Sequence, residues 1–135
     1  MKVAFFTEMG FHGKISRTHK NMRTEFAWMC KLDADHYNLQ TNPTEHYDLG
    51  IIINSKKHPE WVDVKNLKKY CDKVAVMQEG PFWLFQDYEL KNQILYYNNI
   101  MEADIIYSHN EQDKLYYQGL TNHPDVRVLR SLMIE

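Results

Sequence analysis

The strongest candidate for chemistry in this sequence is a histidine that directly follows a β-prone run. His109 comes after residues 103–108, and Asn110 follows it. In a parallel sheet, such a residue lies at the carboxyl edge, where an imidazole can reach a ligand instead of filling the core. The same histidine could instead hydrogen-bond the turn that follows it. We expect His109 to be catalytic and Asn110 to bind substrate beside it.

A carboxylate and several aromatic rings follow another β-prone run, residues 73–78. Glu79 comes directly after this run, and Trp83 lies in the aromatic segment 82–85. A carboxylate can hydrogen-bond the edge of a sugar or base while a ring stacks on its face. The rings could also fold back as a cap on the core, which is the commoner outcome for aromatic residues. We expect Glu79 and Trp83 to bind substrate.

A glycine-containing loop and nearby basic residues follow the first β-prone run, residues 2–7. The residues of interest are Gly10, His12, Gly13, Lys14 and Arg17. The glycines could let backbone amides approach a phosphate or sugar at the start of the next helix, with the cations at its rim. A tight turn and a solvated helix face explain the same residues. The loop matches neither the dinucleotide-binding fingerprint nor the P-loop pattern.

The elements that position these residues alternate along the chain. The β-prone runs are residues 2–7, 36–39, 48–54, 73–78, 103–108 and 126–129, and helical patterns cover 16–32, 58–70, 87–101 and 110–117. Glycine at position 119 marks the expected end of the last helix. This alternation predicts an α/β fold, a three-layer, Rossmann-like, doubly wound and mostly parallel sheet of about six strands.

The helix predicted at 87–101 carries apolar residues at helical spacing. These are Leu90, Ile94, Leu95 and either Tyr96 or Tyr97. Such a stripe is typical of a helix face that packs on a sheet. We expect it to face the core.

Length and composition set the broad class of the protein. The chain has 135 residues, of which 44% are hydrophobic, so we expect a single domain over residues 1–135. No apolar run approaches the length of a membrane span, and the first run lacks a signal-peptide cleavage site. Cys30 and Cys71 have no second cysteine nearby, which favours reduced thiols in a cytoplasmic protein.

Charge and histidine spacing argue against two further classes of site. The formal net charge is −2 and the basic residues are scattered, so no phosphate-binding surface for nucleic acid is indicated. His12, His19 and His58 form no pair four residues apart on a helix, so we assign no metal site.

Two segments resemble parts of a known family. Residues 48–55 (DLGIIINS) and 103–109 (ADIIYSH) look like the third and fifth strands of N-terminal domains of GT-B glycosyltransferases. The second segment, after a helix rich in Asn and Tyr, is similar to the T-even phage α-glucosyltransferases that modify hydroxymethylcytosine in DNA, and more broadly to family-4-like retaining enzymes. The likeness spans the whole chain as a strand pattern, with identity only in short segments.

The resemblance implies which residues lie at the donor-sugar site, and it implies that a C-terminal lobe is needed for activity. It places His109 beside the donor sugar, and Gly10 and Gly13 beside the donor phosphates and acceptor. The substrate would be a nucleotide sugar such as UDP-glucose, held mainly by a C-terminal lobe, with no further cofactor. The chain ends after its sixth β-prone run, where the family's interdomain linker begins, so we expect a half-domain.

We therefore expect a hexosyltransferase lobe that is inactive alone and pairs with a C-terminal lobe or forms a homo-oligomer. Its acceptor would be a saccharide or modified DNA, and its location the cytoplasm, that of the host if a phage encodes it. A non-catalytic Rossmann-like binding or interaction module is the alternative, and an unrelated nucleotide-binding enzyme the third interpretation.

Overall fold

The structure is a computed structural model that describes residues 1–9, 13–15, 25–55, 57–78 and 86–130. Its strands are β1 (Val3–Thr7), β2 (Gly13–Lys14), β3 (Asp35–Asn38), β4 (Tyr47–Asn54), β5 (Cys71–Gln78), β6 (Ile105–Ser108) and β7 (Val126–Val128). Its helices are α1 (Glu25–Lys31), α2 (Val64–Leu67), α3 (Leu90–Glu102) and α4 (Glu111–Thr121), with a 3₁₀ turn at Pro59–Trp61.

The strands form one sheet in the order β2-β3-β1-β4-β5-β6-β7. Six of them are parallel, and the two-residue β2 pairs antiparallel with β3 at the edge. The expected doubly wound α/β fold is therefore confirmed. The edge strand β2 was not predicted, because Gly13 and Lys14 were assigned to a loop before the first helix.

Apolar residues fill both faces of the central strands. Ile51, Ile52 and Ile53 of β4 are all buried, as a continuous apolar run in a central parallel strand predicts. One face packs against α2, α3 and α4, and the other packs against α1. Right-handed crossovers require this division, because the chain moves outward from β1 to β3 in one direction and from β4 to β7 in the other. The strand order reverses between β1 and β4.

The helix α4 is longer than predicted. It passes through Gly119 and ends at Thr121, where Asn122 adopts the left-handed conformation with φ of 52°. Glycine is the commonest residue at this cap position, and asparagine is also found there. The expected stop at Gly119 was therefore wrong by one turn or less.

The apolar stripe expected to bury α3 lies mostly on its outer face. Leu90, Ile94 and Tyr97 are exposed, whereas Tyr96 is buried and Leu95 is half-buried. The prediction for Leu90 and Ile94 was wrong, and of the two tyrosines Tyr96 is the one that faces inward.

A buried asparagine helps explain this rotation of α3. The side chain of Asn99 accepts a hydrogen bond from the Val64 amide at 3.0 Å and donates one to the Val62 carbonyl at 3.0 Å. These backbone groups lie at the end of the 3₁₀ turn and at the start of α2, and a buried backbone group needs a partner. Asn99 therefore faces inward, and residues such as Ile94 turn outward.

Candidate functional site

A row of polar residues ends the neighbouring parallel strands. The last residues of β1, β3, β4, β5 and β6 are Thr7, Asn38, Asn54, Gln78 and Ser108, and all but Asn38 are buried. The carboxyl ends of parallel strands meet at one edge, and ligands of open α/β sheets bind beyond that edge. We call this row and the residues directly after it the carboxyl edge.

A serine and a glutamate meet where the strand order reverses. The hydroxyl of Ser55, after β4, donates to Oε2 of Glu8, after β1, at 2.5 Å. The same hydroxyl accepts from the His58 amide at 2.8 Å. The other carboxylate oxygen of Glu8 makes no hydrogen bond within the described part of the chain, and a carboxylate oxygen can accept hydrogen bonds from hydroxyls.

The end of β4 carries a buried donor. Asn54 is 4% exposed, and its Nδ2 has no hydrogen-bond partner among the residues that the structure describes. An unsatisfied buried donor costs about 1 to 3 kcal/mol, so each such group calls for an explanation. A ligand oxygen beyond the carboxyl edge would satisfy this amide.

Within the described residues, one hydrogen bond holds the side chain of His109. The side chain is half-buried, and its Nε2 lies 2.8 Å from the backbone carbonyl oxygen of Gln78. A carbonyl only accepts, so Nε2 donates and the neutral ring carries its proton there. Nδ1 is then an acceptor, and it makes no hydrogen bond to the residues described. The ring is fixed in position and has one nitrogen left for a ligand.

Asp113, in the first turn of α4, is a buried acidic residue. It is 6% exposed, and its carboxylate makes no hydrogen bond or ion pair within the described ranges. Its backbone amide donates to Asn110 Oδ1 at 2.9 Å. Burial raises the pKa of the Asp113 carboxyl above its ordinary value, although the nearby His109 acts in the opposite direction. A buried carboxylate is normally paired, so Asp113 is a candidate for ligand contact.

Two buried tyrosines hold the side chain of Gln78 in place at the carboxyl edge. The hydroxyls of Tyr96 in α3 and Tyr117 in α4 both donate to Oε1 of Gln78, the second at 3.2 Å. Burial raises the pKa of both hydroxyls, so they stay protonated. Gln78 thus links two helices to the end of β5 and also holds His109. A ligand group is positioned best by such a supporting set of hydrogen bonds.

The predicted site residues fall into three groups. His109 and Asn110 lie together at the carboxyl edge, where Asn110 caps α4 through the bond to Asp113. Lys14 lies elsewhere: its ammonium is 3.1 Å from Oδ1 of Asp35, the first residue of β3, and Gly13 precedes it in β2. The last group lies outside the described residues and consists of Gly10, His12, Arg17, Glu79 and Trp83.

The position of Lys14 separates it from His109. β2 is five strands away from β6 in the sheet, a distance of about 24 Å at the usual strand spacing. Lys14 also lies at the amino end of β3, since it pairs with Asp35 in register. Its ammonium therefore neutralises Asp35, and it does not border the carboxyl edge beside His109.

Sequence reasoning did not single out Asp113 or Glu8. An aspartate three residues after Asn110 fits the start of any helix, where a carboxylate suits the helix dipole. Only the packing of α4 against the sheet shows that this carboxylate is buried next to His109. Glu8 directly follows the first β-prone run, but its contact with Ser55 joins residues 47 apart in sequence, which no local pattern shows.

Comparisons of the chain with models of protein families, with curated proteins and with solved structures found no match in any of the three. The resemblance to GT-B glycosyltransferases therefore stays a prediction. Within the described ranges, no group of three or more His, Cys, Asp or Glu side chains could hold a metal ion. The helices described are also too short or too polar to cross a membrane.

Proposed function

We propose that this chain is the N-terminal lobe of a two-lobed glycosyltransferase, forming one wall of the sugar site. The observation that carries the proposal is the pair of groups at the end of β6 and the start of α4. His109 offers Nδ1 as an acceptor on a ring held through Nε2, and the carboxylate of the buried residue Asp113 beside it makes no hydrogen bond or ion pair to another described residue. Both accept hydrogen bonds from hydroxyls.

The chemistry of the carboxyl edge favours hydroxyls over phosphates. Glu8 and Asp113 are carboxylates, which repel a diphosphate but accept hydrogen bonds from sugar hydroxyls. Asn54 supplies a donor for a sugar or acceptor oxygen. A second lobe would then hold the nucleotide and its diphosphate, in keeping with the resemblance.

If this chain binds the sugar and a second lobe binds the diphosphate, the activity of the isolated chain can be predicted. Transfer of a sugar needs stabilisation of the charge that develops on the leaving diphosphate. His109 would contact a sugar hydroxyl or the developing charge at the reacting carbon. The isolated chain should bind sugar weakly and transfer none. Measurable turnover by the purified chain with UDP-glucose and a saccharide or a modified DNA acceptor would contradict the half-domain assignment.

Binding can be tested without the second lobe. In two-dimensional NMR titrations, glucose and UDP-glucose are expected to shift the resonances of His109 and Asp113, and UDP alone should shift them much less. Asp113→Asn should remove the sugar-induced shifts. Asp35→Asn is the control, because it changes a carboxylate at the opposite end of the sheet. Equal shifts with UDP alone would show that this edge binds nucleotide.

A non-catalytic binding module is the second candidate. It is favoured by the hydrogen bond from His109 to Gln78, which gives the histidine a structural role without any ligand. The two functions differ in one measurement. The test combines the chain with a nucleotide-sugar-binding lobe. If the chain is a glycosyltransferase lobe, the wild-type chain should support transfer and His109→Ala should slow it. If the chain is a binding module, neither the wild-type chain nor the variant should support transfer.

A further inference from the structure

The outer face of α3 carries an apolar stripe. Its members are Leu90, Ile94, Tyr97 and Met101, which are between 36% and 71% exposed. Their spacing of four, three and four residues places them along one side of the helix, as in the seam of a coiled coil. At the rise of an α-helix the stripe is about 16 Å long. We call it the α3 stripe.

The α3 stripe differs from ordinary scattered surface residues. Leu115 of α4 is 68% exposed, but it is the only large exposed apolar residue of that helix among those described. Single residues of this kind are common, whereas a contiguous apolar surface usually marks an interaction site. The inner face of α3 is already occupied by its own contacts, including Tyr96 and Asn99.

Two charges near the ends of α3 are placed against the helix dipole, although the acidic N-cap, Glu89, suits it. Lys91 lies in the first turn and Glu102 in the last turn, although a helix favours acidic residues at its start and basic residues at its end. Each has one local partner, Glu89 at 3.8 Å and Lys65 at 3.9 Å. Exposed ion pairs of this length contribute little. An antiparallel helix alongside would place a glutamate near the first turn and a lysine near the last.

We infer that the α3 stripe binds the α3 stripe of a second copy of this chain in antiparallel orientation. Around a twofold axis at the middle of the helix, Leu90 lies opposite Met101 of the second copy, and Ile94 lies opposite its Tyr97. Lys91 and Glu102 each follow a stripe residue directly, so they lie on the same side of the seam. The twofold axis therefore brings Lys91 of each copy towards Glu102 of the other, so the dimer contains two equivalent pairs.

A groove beside α3 adds to this charge complementarity. It has a volume of about 430 Å³, it adjoins Met101, and its charged lining is Glu60, Asp63, Lys65 and Glu102. Three carboxylates against one ammonium make it acidic. The antiparallel arrangement directs Lys91 of the second copy to this side, so that its ammonium faces the acidic lining.

The expected dimer is weak. A single pair of short helices covers less than the roughly 800 Å² per partner of a standard interface, so a dissociation constant in the micromolar range is expected. The inference does not depend on the proposed function, because no residue of the α3 stripe belongs to the carboxyl edge.

Sedimentation equilibrium over a concentration series tests the surface. The wild-type chain is expected to dimerise, and Ile94→Glu should raise the dissociation constant at least ten-fold. Leu115→Glu is the control, because it adds the same charge at a similarly exposed apolar position outside the stripe. A wild-type monomer, or equal effects of the two substitutions, would overturn the proposal. Circular dichroism of each variant confirms that it is folded.

Disulfide trapping tests the orientation. In a Cys30→Ser background, Ile94→Cys and Tyr97→Cys chains should cross-link to each other when mixed, in preference to self-pairing. Preferential pairing of identical chains would indicate a parallel dimer and overturn the arrangement. Lys91→Glu should weaken the wild-type dimer about three- to ten-fold, and adding Glu102→Lys should restore it. An unchanged dissociation constant for Lys91→Glu would contradict the charge pairing.

Discussion

The imidazole of His109 donates a hydrogen bond from Nε2 to the backbone carbonyl of Gln78, at 2.8 Å. This bond joins the ends of β5 and β6 at the carboxyl edge. It also leaves Nδ1 as the acceptor of the neutral ring. A second histidine, His123, uses both nitrogens: Nε2 donates to the Ala103 carbonyl at 2.6 Å and Nδ1 accepts from the Asp125 amide at 3.0 Å.

This difference predicts unequal effects on stability. His109→Ala should lower the free energy of unfolding by about 1 kcal/mol, because one hydrogen bond is lost at a half-buried position. His123→Ala should cost about 2 to 3 kcal/mol, since it leaves buried backbone groups unpaired. Urea titrations of both variants measure the values. A larger loss for His109→Ala would indicate that this histidine is chiefly structural.

The tautomer of His109 can be observed directly. Long-range ¹⁵N–¹H NMR spectra at a pH where the ring is neutral should show the proton on Nε2. Addition of a sugar should shift the Nδ1 resonance, because that nitrogen is the acceptor of the neutral ring. A proton on Nδ1 in the absence of ligand would contradict the assigned hydrogen bond.

Asp113→Asn should stabilise the isolated chain at neutral pH. Burial raises the pKa of Asp113 in the folded state, so its contribution to stability is fully present below the pKa of the unfolded chain and is lost as pH rises through the folded-state pKa. The neutral amide removes this penalty. Thermal melts at pH 7 should give a higher melting temperature for the variant, and the gap should narrow at acidic pH. A lower melting temperature at pH 7 would show that the Asp113 carboxylate stabilises the fold.

Asp35→Asn should have the opposite effect. Burial alone would raise the pKa of Asp35, but a 2.6 Å hydrogen bond from the Tyr47 hydroxyl and the Lys14 ammonium outweigh it and hold the pKa below its ordinary value. This contribution is present above the unfolded pKa of about 4 and is lost as pH falls through the folded-state pKa. The variant should lose about 1 to 2 kcal/mol at pH 7 and have weaker acid dependence in urea titrations. Equal stability of the two chains at pH 7 would show that Asp35 contributes little.

Gly50 is required by the close approach of β4 to its neighbours. A Cβ at this position would lie 2.7 Å from Sγ of Cys71 and 3.1 Å from the ring of Phe6. Gly50→Ala should therefore cost about 1 to 3 kcal/mol through overpacking. Adding Cys71→Ala removes the closest atom, so the double variant should lose less than the sum of the single variants. Additive losses in urea titrations would show that the sulfur is not the obstacle.

The two cysteines should react at different rates with a thiol reagent. Cys71 is buried, and burial raises the pKa of its thiol to about 11, whereas Cys30 is half-buried. Only the thiolate attacks, so the folded chain should label at Cys30 and the second thiol should appear on unfolding. Cys30→Ser is the control, and rapid labelling of this variant in the folded state would contradict the burial of Cys71.

The sequence by itself determined most of the elements and their order, but not the two-residue edge strand β2. The continuous apolar run at 51–53 predicted a central strand, and a polar residue after a β-prone run placed His109 at the carboxyl edge. These features are local: periodicity and turn residues set helices and strands, and the direction of a parallel strand fixes which end faces a ligand.

Only the tertiary structure decided which faces and side chains meet. The inward position of Asn99 depends on backbone groups more than thirty residues earlier, and the burial of Asp113 depends on how α4 packs on the sheet. Lys14 likewise pairs with Asp35 across an edge strand that has almost no pattern of its own. Such contacts join residues distant in sequence, and their energies compete with local preferences, so a pattern of apolar residues along one helix could not predict them.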